Sequence, residues 1–217
     1  QSETGAIQDV RALRGILQSV PLFLDAVQGI GKLDFPFESV RPDMLSISGQ
    51  KLGAPSGAAL VHHRRHAAAA RSLRSERHAI SRVPPAFCLL LTELLERPQP
   101  VPRFDLRARL LSELERAAAD ELRPTLPAAT ASPWILHLTA RRCQGAHLVR
   151  ALARFGFSIA SGSACDAESD RPSRVLAAMG FRKDEAYRGV RVSFSPSHEP
   201  EDLSALAEAL ARAVREY

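Results

Sequence analysis

The sequence has no apolar run near the ~18 residues that a helix needs to cross a bilayer, and no charged-then-apolar leader opens it. A membrane or secreted protein is not expected. Cysteine is scarce: Cys88, Cys143 and Cys165 form no C-x-x-C pair, and an odd count leaves at least one unpaired. That usage suits a reducing cytoplasm, and no metal site is implied. Lysine is as scarce, with only Lys32, Lys51 and Lys183 in a Lys+Arg total of 29. The net charge of +5 therefore rests on arginine. Beside abundant alanine, that skew reads as a coding bias more than a phosphate-binding design, and the arginines are spread along the chain except around residues 64–82. No nucleic-acid partner is expected. An initiator methionine is missing too, since the chain starts at Gln1, and a fragment or one piece of a split polypeptide is expected. What is present, 217 residues at 45% apolar content, can fill a core and excludes a disordered chain.

Ile7, Val10, Leu13, Ile16 and Leu17 recur at helical spacing, and the run 22–27 reads as a short buried strand. Residues 44–48 and 58–62 read as further strands around the Gly/Pro-rich turn 53–57, so the first part is α/β. Residues 86–96 form an apolar helix that stops at Pro98 and Pro100, and Cys88 within it reads as a packed core thiol. The best boundary follows, dividing a domain 1–102 from a domain 103–217. In the second, Leu106, Leu110, Leu111, Leu114, Ala118 and Leu122 make one helical face. A strand at 134–139, a helix at 146–155, a strand at 157–160, a short helix near Pro172, a strand at 190–194 and a last helix follow. That helix has Glu199, Glu201 and Asp202 at its start and Arg212 and Arg215 at its end, which suits the helix dipole. This part reads as a small α+β domain.

Asp25 ends one apolar strand, Gln28 lies three residues on, and Lys51 follows another strand in Ser-Ile-Ser-Gly-Gln-Lys. In an open α/β sheet the ligand crevice lies at the carboxyl ends of the strands, where these residues can converge. A buried amine with a lowered pKa can form a Schiff base, and a buried carboxylate can keep a pyridinium nitrogen protonated. The plain alternative is a surface lysine in a turn and an aspartate capping a strand. Cys165 closes Ser-Gly-Ser-Ala-Cys ahead of the polar stretch 166–171, and an accessible thiol can act as a nucleophile. It can equally be a small residue filling a tight turn. Arg191 opens Arg-Val-Ser-Phe, where a guanidinium can clamp a carboxylate or make an ordinary surface ion pair.

Taken in order, Glu-Thr-Gly-Ala-Ile-Gln at 3–8, Asp-Ala-Val-Gln at 25–28, Ser-Gly-Gln-Lys at 48–51, Ser-Gly-Ser-Ala-Cys at 161–165 and Arg-Val-Ser-Phe at 191–194 resemble the cysteine desulfurases of the class-V aminotransferase family. Pro-Ser-Arg-Val-Leu-Ala-Ala-Met-Gly at 172–180 extends the resemblance over nearly the whole chain. It implies a homodimeric fold-type I pyridoxal-phosphate enzyme: part of the large cofactor-binding domain, a mostly parallel sheet with helices, followed by a small α+β domain. Such an enzyme takes sulfur from L-cysteine, leaves alanine, and passes a persulfide to a sulfur-acceptor protein, as in iron–sulfur assembly. By the resemblance, Lys51 is the Schiff-base lysine, Asp25 the partner of the pyridinium nitrogen, Gln28 a donor to the phenolic oxygen and Ser48 a phosphate ligand. Cys165 is the sulfur carrier and Arg191 the holder of the substrate carboxylate.

The departures fall where the cofactor is held. Gln1 and Ser2 stand where the family has Asn-Asn, so the contact at Ser2 is shortened or lost, and Gln50 replaces a histidine before the lysine. The family's glycine-rich stretch and Arg-Ser-Gly-Thr correspond to Leu-Arg-Ser-Glu-Arg at 73–77. The phosphate-cradling loop and the ring-stacking histidine would precede Gln1. The alternative reading is a catalytically degenerate or split-subunit relative that serves as a non-catalytic interaction partner, or as the complement of a missing N-terminal half.

Overall fold

A computed structural model describes residues 1–55, 59–63, 85–98, 100–118, 120–162 and 172–217, with the backbone alone at Phe37 and 59–63. The chain divides into two compact units, Asp9–Pro100 and a larger one that joins Gln1–Gln8 to Val101–Tyr217. Residues 1–8, which the sequence reading assigned to the first domain, are bonded into the larger unit. The Ile7 N–H donates to the Thr130 carbonyl at 2.9 Å, the Ser132 N–H donates to that of Gly5 at 2.7 Å, and Ala6 bridges Ala131. Gly5 allows this approach: its φ is +78°, and a Cβ there would stand 2.9 Å from the Ile135 carbonyl oxygen.

The smaller unit starts with helix α1 (Val10–Leu17), capped by Asp9, whose carboxylate accepts the N–H groups of Arg11 and Ala12. Strand β1 (Phe23–Asp25), the single turn α2 (Phe37–Val40) and strand β2 (Met44–Ser48) follow. Strand β1 runs parallel to β2, with Asp25 opposite Ser46, and β2 runs antiparallel to β3 (Ala59–His63). Leu45 and Ile47 are buried at alternate positions of β2, as a pleated strand requires. They pack with Ala26, Ile30 and Leu91, the last from helix α3 (Pro85–Glu96). Arg14 ties α1 down: its Nε donates to the Val40 carbonyl at 3.0 Å, and its Nη2 pairs with Asp43 at 3.0 Å.

Helix α3 corrects one expectation, because Cys88 is exposed rather than packed. The helix is apolar almost all round, so composition could not say which side is covered. The less exposed positions, Phe87, Leu90, Leu91, Leu94 and Leu95, recur at helical spacing and leave Cys88 and Leu89 outside.

The larger unit packs helix α4 (Phe104–Ala118) along helix α8 (Pro200–Arg215). Leu106, Leu110 and Leu114 of α4 and Leu203, Leu206 and Leu210 of α8 are all buried. Arg107 is buried too, donating Nη1 to the Ile135 carbonyl and Nη2 to that of Leu126. The acids expected at the start of α8 form a cap, the Glu199 N–H donating to Asp202 at 2.9 Å.

Strands β4 (Leu122–Pro124), β5 (Ile135–Ala140) and β6 (Gly189–Ser193) make an antiparallel sheet with β5 in the middle. Helix α5 (Gly145–Arg154) packs on β6, and the short helices α6 (Arg174–Ala178) and α7 (Lys183–Ala186) precede that strand. The strand expected at 157–160 reduces to one antiparallel bridge between Ala160 and Arg191, because the segment meets β6 at a single residue. Among the described residues no helix is long and apolar enough to cross a membrane.

Candidate active site

The residues anticipated from the sequence fall into two sets, one in each unit. In the smaller unit, the parallel register of β1 and β2 brings their carboxyl ends together. Asp25 Oδ1 accepts from the Ser46 hydroxyl at 3.2 Å and from the Val27 N–H at 3.1 Å, which fixes the carboxylate. Among the described residues no group donates to Oδ2, which remains available to a donor.

Beyond Asp25 the backbone turns helically, with the Gly29 and Ile30 N–H groups on the Ala26 carbonyl and those of Lys32 and Leu33 on the Gly29 carbonyl. The turn sets Gln28 and Lys32 one helical turn apart, and Lys32 Nζ donates to Gln28 Oε1 at 2.9 Å. Strand β2 runs into a 3₁₀ turn, Gly49–Leu52, that carries Gln50 and Lys51 and ends at Gly53. With φ +91°, Gly53 returns its N–H to the Gly49 carbonyl, a conformation costly for residues with a Cβ. Ser48 precedes the turn without capping it, so its hydroxyl is not committed there.

The burial anticipated for this set is corrected. Asp25, Gln50 and Lys51 are exposed, and Gln28 and Ser48 are half-buried, because strand ends and the turn after them lie outside the small core. Lys32 is the half-buried amine, and its pKa is lowered, first by burial and then by the charge of Lys51.

In the larger unit, Arg191 Nη1 donates to the Ser2 carbonyl at 2.9 Å, joining two of the anticipated residues across 189 positions. The Arg191 backbone exchanges hydrogen bonds with Ala160, and its Nε is buried without a partner among the described residues. Directly across the ladder stands His137, whose Nδ1 lies 2.7 Å from the Thr125 hydroxyl, itself 2.8 Å from that of Thr139. Burial, and then the Arg191 charge, push the His137 pKa down to about 4, so the imidazole is neutral at physiological pH. Gln1 Oε1 accepts from the Glu3 N–H, the Thr4 N–H and the Thr4 hydroxyl, which shapes the segment carrying Ser2.

Two anticipated features, Cys165 and the segment 73–77, lie outside the described residues. Two residues of the neighbourhood were not anticipated. Lys32 had a signal, being one of three lysines and four residues after Gln28, whereas His137 needed the β5–β6 register. Chemically, a carboxylate with a free oxygen, an amide, a hydroxyl and a primary amine suit a ring N–H, an anionic oxygen, a phosphate and an aldehyde. Among the described residues no group of three His, Cys, Asp or Glu side chains could hold a metal ion.

Residues 1–76 match the family model for class-V aminotransferases. Cysteine desulfurase IscS of Aeromonas hydrophila is 27% identical over 93% of this chain and 52% of its own length. IscS of Stutzerimonas stutzeri is 27% identical over 98% and 55%. The chain thus spans about half the length of the curated relatives it matches. Among solved structures, a NifS-like protein from Rickettsia africae superposes with a TM-score of 0.75 at 20% identity, over 99% of this chain and 59% of that one. The cysteine desulfurase CsdA of Escherichia coli does so at 0.69 and 18% identity, over 99% and 57%. The chain therefore matches the class-V aminotransferase model over residues 1–76, shares the fold of the NifS-like proteins and is similar over nearly all its length to cysteine desulfurases.

Proposed function

We propose that this chain carries the cofactor-holding and sulfur-carrying residues of a pyridoxal-phosphate-dependent cysteine desulfurase. The observation behind this reading is the in-register parallel pairing of β1 and β2, which gathers Asp25, Gln28, Ser48 and Lys51 at the carboxyl ends of neighbouring strands. Likeness to cysteine desulfurases along 93–98% of the chain supports it.

The donor set fits the cofactor. Asp25 would hold the protonated ring nitrogen through its free Oδ2, Gln28 would donate to the phenolic oxygen, Ser48 would bond the phosphate, and Lys51 would join the aldehyde covalently. Gln50, in place of histidine, can donate to phosphate but has no group that titrates near neutral pH. When bound, the cofactor supplies the electron sink for the substrate amino acid. Lys51 would also hold and return a proton at the substrate's Cα. Arg191 takes the carboxylate of L-cysteine through the guanidinium edge that Ser2 leaves open. The Cys165 thiolate attacks the substrate sulfur: an S–S bond forms, the Cβ–S bond breaks, and its electron pair stays on Cβ, where a proton completes alanine. The resulting persulfide would go to a sulfur-acceptor protein, and a homodimer belongs to the same reading.

The test is an absorbance spectrum of the chain with pyridoxal phosphate, before and after L-cysteine, followed by borohydride reduction and peptide mass mapping. A visible band and a reduced adduct on Lys51, both absent in Lys51→Ala, are expected. An adduct unchanged by Lys51→Ala would overturn the assignment, and absence of any adduct would favour a non-catalytic partner role.

A further inference from the structure

Lys32 holds its head group against Gln28, a residue of the candidate site. It is half-buried, its Nζ lies 2.9 Å from Gln28 Oε1, and it feels the charge of Lys51. A lysine that merely covered apolar surface with its stem would send its ammonium to water. Here the ammonium is held in the turn that follows β1, where the hydrogen bonds of residues 26–33 fix the spacing between Gln28 and Lys32.

The consequence lies in the chemistry of an amide. Gln28 has one accepting end and one donating end, and the carboxamide can rotate to exchange them. An ammonium only donates, so it fixes Oε1 on its own side and turns the Nε2 hydrogens the other way. A glutamine with a free choice would present either end to a ligand. With Lys32 in place it presents only a donor, which suits an anionic oxygen and repels nothing. We infer that Lys32 is a positioning residue that sets the polarity of Gln28, committing its amide to donate toward an anionic oxygen of a bound ligand. This rests on the proposed pyridoxal-phosphate reading only for the ligand's identity, the phenolic oxygen. The orientation of Gln28 belongs to the chain alone.

The test therefore reads the amide first, in the 217-residue chain without cofactor. The side-chain NH2 resonances of Gln28, assigned by their loss in Gln28→Ala, are followed in Lys32→Arg, Lys32→Met and Lys32→Glu, with circular dichroism and the thermal midpoint as folding controls. Arginine also only donates, so Lys32→Arg keeps the wild-type pair of resonances. Lys32→Met releases the amide, and its two protons move toward the shifts and fast hydrogen exchange of a free glutamine. In Lys32→Glu the carboxylate accepts from Nε2, and one proton shifts downfield as the amide reverses. Pyridoxal phosphate is then added. Its dissociation constant is expected to stay near wild type in Lys32→Arg and to rise about tenfold in Lys32→Met, the scale of one hydrogen bond to a charged group. A further rise is expected in Lys32→Glu. Gln28 resonances identical across wild type, Lys32→Met and Lys32→Glu in folded protein would overturn the inference. Resonances that change as described while wild type binds no pyridoxal phosphate would instead overturn the cofactor reading and leave the positioning role standing.

Discussion

The two units differ in how much core supports them. The larger unit buries two leucine rows between α4 and α8, covers its sheet with α5, and encloses even an arginine and a histidine. The smaller unit has a core cluster of five buried residues among those described, and none of the residues of α1 is buried. Ile16 is 79% exposed and Leu89 73%, and the larger unit leaves Val101 77% exposed as well, so the contrast lies in the buried clusters and not in the exposed residues. Yet the smaller unit holds Asp25, Gln28, Ser48 and Lys51. These candidate residues sit on strand ends and turns, which need only a few backbone hydrogen bonds and one correct register. In the larger unit, Arg191 is positioned by a sheet ladder and by the Ser2 carbonyl. A site residue can thus be held by a thin core when its geometry is local, and needs a thick one when its partners are distant in sequence.

The sharpest way to break this contrast is to hollow each core. Leu110→Ala in the larger unit should cost about 2–5 kcal/mol, with the cavity closing poorly among fully buried neighbours, and Leu91→Ala in the smaller unit should sit at or below the low end. Urea unfolding of both variants measures this, and equal losses would remove the distinction.

A second measurement uses acid on the larger unit alone. His137 has a folded pKa of about 4 against an ordinary 6.5. Well above pH 6.5 the imidazole is neutral in both states and has no effect on stability. Below it the unfolded chain binds the proton and the folded chain does not, so stability falls as pH drops toward 4, by about 3 kcal/mol in all. Denaturant midpoints at several pH values should show this slope between pH 6.5 and 4 in wild type and a shallower one in His137→Gln, the remainder coming from carboxylates such as Asp105 and Asp184 whose pKa values are lowered by Arg103 and Arg182.

The smallest effect is expected at α1 of the smaller unit. Asp9→Ala removes the acceptor for two N–H groups and should cost about 1 kcal/mol, read as a small drop in thermal midpoint. A loss as large as that from Leu110→Ala would mean that this outlying helix supports more of the fold than its exposure suggests.

The placement of the candidate residues at strand ends is legible in the sequence, while their surroundings are not. Asp25, Gln28, Ser48 and Lys51 lie at the ends of short apolar runs, and a strand end is a local feature that residue spacing reveals. Their exposure was not legible, because it depends on how far the small core reaches. Cys88 shows the same gap: a helix apolar all round gives no clue to its covered side. The expected strand at 157–160 had the right apolar residues but only one pairing partner in reach, the backbone of Arg191.

By itself the sequence determined an α/β part and an α+β part, the acidic start of the last helix, and which side chains can donate, accept or attack, because these follow from chain-local periodicity and side-chain chemistry. Only the tertiary structure decided that Arg191 grips Ser2, that His137 stands neutral beside it, that residues 1–8 belong to the larger unit and that Lys32 fixes the Gln28 amide. Each of these depends on strand register, burial or a distance between side chains. Such quantities exist only once the chain has closed on itself.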